Sequence, residues 1–315
     1  MHCDTILKLY EHPGTTLRNN SFQIDLTRMK ASLIDFQNFA LFVENEAALD
    51  PYQRYQDLYQ IYQRELAANS DIIRPVYCYQ DYLDNQTQGY LSAMLTMEEG
   101  APLAGSTERL EAVYQDGVRM LTLTWNQPNE IGFPNAIYAD AHNRLLPVPQ
   151  KGLTSVGFEL VERMTQLGMI IDVSHGSDQL VNDVLATTTV PFVASHSNCR
   201  ALCPHSRNLS DDLIRQMGTR GCVIGLNYFE AFIRFHDRAT LFEQLAQHAT
   251  HLKNIGGLDC IGLGSDFDGI APHPELADNL SIERLIDTFQ KSGFTAREID
   301  AIGFQNVARL YQEIL

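Results

Sequence analysis

The sequence lacks the features that mark several large classes of protein. It has no lysine or arginine cluster: 23 basic residues stand against 39 acidic ones, for a formal charge of −16. Nucleic acid is recognised through a basic face, so it is excluded as a partner, and a small substrate fits better. No apolar run approaches the ~20 residues that span a bilayer, and no signal peptide precedes the first polar residues. No membrane partner is therefore expected, and the expected location is cytoplasmic. The six cysteines (Cys3, Cys78, Cys199, Cys203, Cys222 and Cys260) lie far apart, without zinc-ribbon spacing, and are expected to be free thiols. There is one tryptophan, Trp125, and there is no internal repeat and no linker long enough to separate a pair of domains. The 315 residues, 44% of them hydrophobic, are expected to form one domain over residues 1–315.

What is present is a rhythm. Short apolar or β-branched runs occur at 39–43, 91–97, 120–124, 169–173, 191–194, 222–226 and 260–263. Such runs suit strands buried on both faces, as in a parallel sheet. Helical patterns occupy 52–68, 106–116, 154–167, 177–185, 210–217, 238–254, 281–291 and 295–302. The alternation predicts repeated βα units and an α/β fold, a TIM (β/α)8 barrel. Seven strands are visible. The eighth would have to precede His2, so the first strand is expected to be truncated, or the natural start to lie upstream of Met1.

The polar residues that terminate the runs carry the chemistry. The runs lead into Glu98, His175, His196 and Asp266. In a barrel of parallel strands the C-terminal ends share one rim, where catalytic residues are presented. His2 and Asp4 would join them, since residues i and i+2 of a strand face the same side and can grip one cation. Imidazole and carboxylate donors suit zinc, and also manganese or iron. A carboxylate such as Glu98 can bridge two ions. His12, His142, His205, His236, His248, His251 and His273 fall in loops or helices and are read as solvated or structural.

With these residues in hand, the chain resembles the membrane (renal) dipeptidase family, in its soluble bacterial branch, over nearly its whole length. The likeness rests on His2-x-Asp4, Met97-Glu98-x-Gly100, the Leu-Thr-Leu-Thr of 121–124, the Gly-Met-Ile-Ile-Asp-Val-Ser-His of 168–175 and Ser195-His196-Ser197. The Arg-Asn-Leu-Ser-Asp-Asp of 207–212 and the Gly-Ser-Asp-Phe-Asp-Gly of 264–269 complete it. The resemblance implies a zinc-dependent dipeptidase with two Zn2+ ions per subunit, cleaving dipeptides, L,D-dipeptides included, with a hydroxide that bridges the ions. His2, Asp4 and Glu98 would bind one ion, and Glu98, His175 and His196 the other. Asp266 would be the catalytic acid/base, and Arg207 would pair with the substrate carboxylate, a task suited to its planar fork. Family barrels tend to form homodimers.

Two departures from the family stand out. Animal members carry a histidine after the Leu-Thr-Leu-Thr stretch, where this chain has Trp125. Its indole N–H can donate one hydrogen bond but cannot take up a proton, so Trp125 is expected to contact substrate or shape the pocket wall. Glu99 stands where a glycine is usual after the bridging glutamate, and Glu98 is favoured as the bridge by its spacing from the Tyr114-x-x-Gly117 helix end. Asp268 is read as a structural turn carboxylate. Two other readings remain: a barrel hydrolase of lactams, cyclic amides or N-acyl amino acids, and a metal-poor relative that binds peptides without cutting them.

Overall fold

The computed structural model describes the chain apart from residues 46–48, 136–137, 140–144, 147–149 and 235–238, with the backbone alone at 138–139 and 145–146. His142 and His236 therefore lie outside the described residues. The strands are β1 (His2–Cys3), β2 (Phe36–Phe42), β3 (Ile73–Pro75), β4 (Leu91–Glu98), β5 (Val118–Thr122), β6 (Tyr138–Ala139), β7 (Leu145–Leu146), β8 (Ile170–Asp172), β9 (Val193–Ala194), β10 (Val223–Asn227) and β11 (Ile261–Phe267). Strands β6 and β7 form a small antiparallel pair. The others make one parallel sheet in the order β1-β11-β10-β9-β8-β5-β4-β2. The short β3 pairs with the first residues of β4, below the stretch of β4 that pairs with β5. The sheet curls until β1 lies against β2, where the Cys3 thiol donates to the Asn38 carbonyl at 3.3 Å. The result is a nearly closed eight-stranded barrel wrapped by helices.

The first strand needs a correction. It does not lie ahead of residue 2: it is His2–Cys3, parallel to β11 with His2 opposite Ser265 and Cys3 opposite Phe267. The Met1 nitrogen donates to the Leu263 carbonyl at 2.6 Å, which pins the segment. Asp4 is not on the strand, because the chain has already turned there (φ −105, ψ 25) to enter the helix Thr5–Glu11. The approach of His2 and Asp4 comes from a strand-to-helix turn rather than from strand pleating.

Helix starts follow local chemistry. Asp50, Ser106, Thr154, Ser177, Ser210, Thr240 and Thr295 each accept a backbone N–H of the first turn, and each such cap stabilises by roughly 1 kcal/mol. The buried face of Ile282–Lys291 is Ile282, Leu285 and Phe289, the spacing of one helical stripe. Gly168 ends the helix Ser155–Leu167 at φ 69, a left-handed conformation open to glycine at little cost. Among the described residues, five α-helices carry no clear signal in the sequence: Thr5–Glu11, Leu26–Ala31, Tyr79–Thr87, Glu230–Ile233 and Asn306–Ile314. The last has a structural task. Its Leu310 and Tyr311 pack with Met94, Met120, Ile170, Val193 and Val223 and close the end of the barrel remote from the rim. Among the described residues no helix is long and apolar enough to cross a membrane.

Strand packing inside the barrel depends on Gly225 of β10. A Cβ there would stand 2.0 Å from the Ser195 carbonyl oxygen and 2.8 Å from the Gly264 Cα, backbone atoms that cannot step aside. Gly225→Ala is therefore expected to destabilise by ~1–3 kcal/mol through overpacking, read as a fall of several degrees in thermal melting. An unchanged melting temperature would contradict the close approach.

Candidate metal centre

Six side chains meet at the C-terminal rim. Glu98, the last residue of β4, is the hub: its Oε2 lies 3.3 Å from His2 Nε2, and its Oε1 lies 3.2 Å from His175 Nε2 and 3.5 Å from His196 Nε2. Asp4 Oδ2 is 3.1 Å from His2 Nε2. Potential ligand atoms fall into three trios, Glu98/His175/His196, His2/Asp4/Glu98 and His2/His196/Asp266, whose atoms lie within 4.8 Å of one another. The first two trios share Glu98 through opposite oxygens.

The local backbone aims these groups. His175, Ser265 and Asp266 have φ of 67, 63 and 81. Left-handed conformations are uncommon outside glycine and cost of order 1–3 kcal/mol each, and they collect at functional sites. Glu99 shares the habit at φ 83, and its side chain leaves the centre. It accepts from the backbone N–H of Ala101 at 2.7 Å and of Trp125 at 2.8 Å, and from the Asn129 amide. Glu98 and Glu99 thus face different environments. Asp268 also points away from the centre: Thr5 Oγ1 donates to it at 2.6 Å and the Gln23 N–H at 2.7 Å, tying the start of the helix Thr5–Glu11 and the loop after it to the end of β11.

A second set of residues orients the imidazoles. Asn126 Oδ1 lies 2.9 Å from His175 Nδ1 and accepts its proton, which leaves the Nε2 lone pair facing Glu98. His196 Nδ1 lies 2.7 Å from Ser195 Oγ. That hydroxyl spends its own hydrogen on Asp172 Oδ2 at 2.5 Å, so it accepts from Nδ1 and again frees Nε2. Asp172, wholly buried, also accepts from Thr122 Oγ1 at 2.6 Å and from the N–H groups of Ser195 and Ser174 at 2.8 and 3.0 Å. Asp266 Oδ2 is held by the Asn227 amide at 2.9 Å. Sequence reading gives Asp172, Ser195 and Asn227 no role. The available signal is a polar residue inside an otherwise apolar strand.

The electrostatics are those of crowded, buried charge. Burial pulls the Glu98 carboxyl up, but the His2 charge and the close approach of the His175 and His2 imidazoles outweigh it and hold it well below its usual range. Burial opposes charging of His2, yet the Glu98 and Asp4 carboxylates carry it well above its ordinary value. His175 is lowered to about 4 by burial and the Arg207 charge, and His196 well below its ordinary value by burial and the charges of His2 and Arg207. Asp266 is pushed up to about 7, by burial first and then by Asp4 and Glu98, against the pull of His2. Asp4 Oδ1 is buried without a hydrogen-bond partner. Converging Nε2 atoms, carboxylates in excess and an orphaned carboxylate oxygen fit divalent cations, zinc in particular.

Arg207, which follows β9, and Trp125, which follows β5, flank the centre on either side of β8. Arg207 is buried, with only Ser197 Oγ at 3.5 Å, the His196 carbonyl at 3.3 Å and the Phe232 ring beneath it. Its Nε has no partner, and burial lowers it to about 10 despite Asp266. Among the described residues no carboxylate pairs with it, so its charge is left without a close counter-ion. Trp125 is half-buried, its ring centroid 6.2 Å from that of His175 and 4.9 Å from that of Phe42. The other described histidines stand apart. His248, for instance, is fixed between the Cys199 N–H and the Ile233 carbonyl.

The profile of the family described as membrane dipeptidase (peptidase family M19) matches residues 1–314. The chain is 36% identical over 232 residues to an uncharacterized protein of the pqqA 5′ region of Klebsiella pneumoniae, spanning 70% of this chain and 82% of that one. It is 30% identical over 307 residues to an uncharacterized dipeptidase of Schizosaccharomyces pombe, spanning 92% of this chain and 71% of the other. A solved metallo peptidase from Rhodobacter sphaeroides, liganded with a phosphinate mimic of the dipeptide L-Ala-D-Ala, has the same fold, with a TM-score of 0.89 at 21% identity, covering 100% of this chain and 98% of that one.

The relay beneath His196 yields a test. Ser195→Ala removes the hydroxyl while leaving Asp172 its other three donors. Zinc affinity, titrated against a competing chelator, is expected to fall ~10–100-fold, as for other residues that orient a ligand. Unchanged affinity would remove Ser195 from the centre.

Proposed function

The chain belongs to the membrane dipeptidase family, a family of metallopeptidases, and we propose that it hydrolyses the amide bond of dipeptides, L,D-dipeptides included, with two zinc ions. His2, Asp4 and Glu98 would hold one ion, and Glu98, His175 and His196 the other. The observation that carries this reading is the division of Glu98, whose two oxygens serve two separate sets of donors. When bound, such a pair of ions would polarise a carbonyl and supply the hydroxide nucleophile near neutral pH.

The remaining work belongs to the protein. Arg207 takes the C-terminal carboxylate of the substrate, replacing the counter-charge it lacks in the protein, and so sets how far the scissile bond lies from the pocket wall. Asp266, held through Oδ2 by Asn227, takes the proton of the nucleophile on its carboxylate and returns it to the departing amine. This is general acid–base work over hydrogen-bond distance. Asn126 and Ser195 keep two imidazoles in the tautomer that offers Nε2. The whole chain acts as one domain.

Two measurements test this. Asp266→Asn is expected to lower kcat by ~10²–10⁴-fold while metal analysis still finds two zinc ions per chain; near-normal turnover would remove Asp266 from the proton path. Chelation should abolish dipeptide hydrolysis and added zinc restore it. In a panel of dipeptides, N-acyl amino acids and lactams, hydrolysis confined to the latter two would replace dipeptides as the substrate class.

A further inference from the structure

Glu99 is a wholly buried carboxylate beside the centre for which the proposed reaction has no use. Its partners show what it holds. The Trp125 N–H and the Asn129 amide both donate to it. Asn129 in turn donates to the Leu123 carbonyl at 2.8 Å and accepts from the N–H groups of Ile131 and Gly132 at 2.8 and 3.1 Å. One buried carboxylate therefore fastens the loop that follows β5 at two points, Trp125 and Asn129. The loop is also packed from below: a Cβ on Gly100 would stand 2.3 Å from Ile131 Cδ1. The loop carries Asn126, which orients His175, and Trp125, whose ring meets Phe42 edge to face at an interplanar angle of 65°.

Phe42 ends β2 and Trp125 follows β5, whereas Arg207 lies between β9 and β10. In the closed sheet order β2 lies across the rim from β9 and β5 lies two places from β9, so the arc from β2 through β4 to β5 faces β10 and the segment before it. A dipeptide whose carboxylate sits on Arg207 and whose scissile carbonyl lies over Glu98 must project its N-terminal residue toward Phe42 and Trp125. Two half-buried aromatic rings present a broad apolar surface there, which rewards an apolar side chain and leaves a charged one poorly solvated.

We propose that Phe42 and Trp125 form the wall that receives the side chain of the substrate's N-terminal residue, that Glu99 is the positioning residue for this wall, and that the preferred substrates are dipeptides with a large aliphatic or aromatic first residue. The inference rests on the dipeptidase reading above. The test compares kcat/KM across an X-Ala series (X = Phe, Leu, Met, Gly, Asp, Lys) and an Ala-X series with zinc-loaded enzyme. The wild type is expected to favour Phe, Leu and Met over Gly, Asp and Lys at the first position by ~10-fold or more, the scale of selection by an apolar pocket. Trp125→Ala should collapse that preference while leaving the ranking of the Ala-X series intact, and Trp125→Phe should keep it.

Trp125 is the chain's single tryptophan, so its fluorescence reports on the wall directly. Glu99→Gln is expected to make it more accessible to acrylamide quenching and to erode the first-position preference, with zinc content unchanged. If Trp125→Ala depresses both series alike, or if Lys or Asp is the favoured first residue, the wall is refuted. Unaltered quenching in Glu99→Gln refutes the clamp. Should Glu99→Gln not fold, Trp125→Ala still decides the wall, and Asn129→Ala, measured for quenching, decides the clamp. Failure of the zinc-loaded wild type to cut any dipeptide would instead overturn the underlying reading.

Discussion

Burying carboxylates and imidazoles together is the constraint from which the rest of this structure follows. Glu98, Asp4, His2 and His196 are each less than a twentieth exposed, and a charge taken out of water costs several kcal/mol unless neighbours compensate. Part of that compensation comes from His2, whose charge stands between Glu98 and Asp4, while the Nε2 lone pairs of His175 and His196 face the other Glu98 oxygen. The arrangement is stable only while those imidazoles keep their orientation, so a further layer is required. Asp172, Ser195, Thr122 and Asn126 are that layer, and they too are buried or half-buried polar groups with partners. Polarity in this barrel is therefore stacked, each level holding the one above.

The stacking is visible along single strands. In β4 the alternate residues run Met94, Thr96, Glu98; β5 runs Met120, Thr122; β8 runs Ile170, Asp172; β9 leads from Val193 to Ser195; β10 runs Val223, Gly225, Asn227. With a period of two these residues share a face, and the apolar member of each set belongs to the cluster closed by Leu310 and Tyr311. One end of the barrel is thus an ordinary core and the other a polar rim where the candidate metal ligands meet. The left-handed residues His175, Ser265 and Asp266 all lie at the second end. The strain is concentrated where it aims functional side chains, and the apolar end supplies the packing that offsets it.

Much of this is legible in the sequence. Apolar runs locate seven strands because strands buried on both faces read as uninterrupted hydrophobic stretches. Their terminal residues point to Glu98, His175, His196 and Asp266 because a parallel barrel presents strand ends on one rim. What is not legible is short or indirect. The strand β1 spans two residues, too few to show a period. The helix Tyr79–Thr87 is largely polar and buries only Tyr82 and Asn85, so it lacks an apolar stripe. Asp172 sits inside a recognisable motif without an evident role, since its partners Thr122 and Ser195 are 50 and 23 residues away. Only folding brings them together.

The pair Glu98 and Glu99 shows how much a single residue can decide. Successive strand residues face opposite sides, so a slip of one would exchange a carboxylate that faces three imidazoles for one that accepts from two backbone amides and an asparagine. The left-handed turn at Glu99 ends the strand at that point and fixes which glutamate faces which way. The same turn couples the centre to Trp125. An indole donates but cannot accept a proton, so in the proposed reaction proton movement cannot be shared with this side of the rim and falls to Asp266. Asp266 has the environment for it: it is buried, raised to about 7 and held by Asn227, and it stands away from the aromatic wall. Shape on one side of Glu98 and proton chemistry on the other is a division of labour that a histidine at position 125 would not impose.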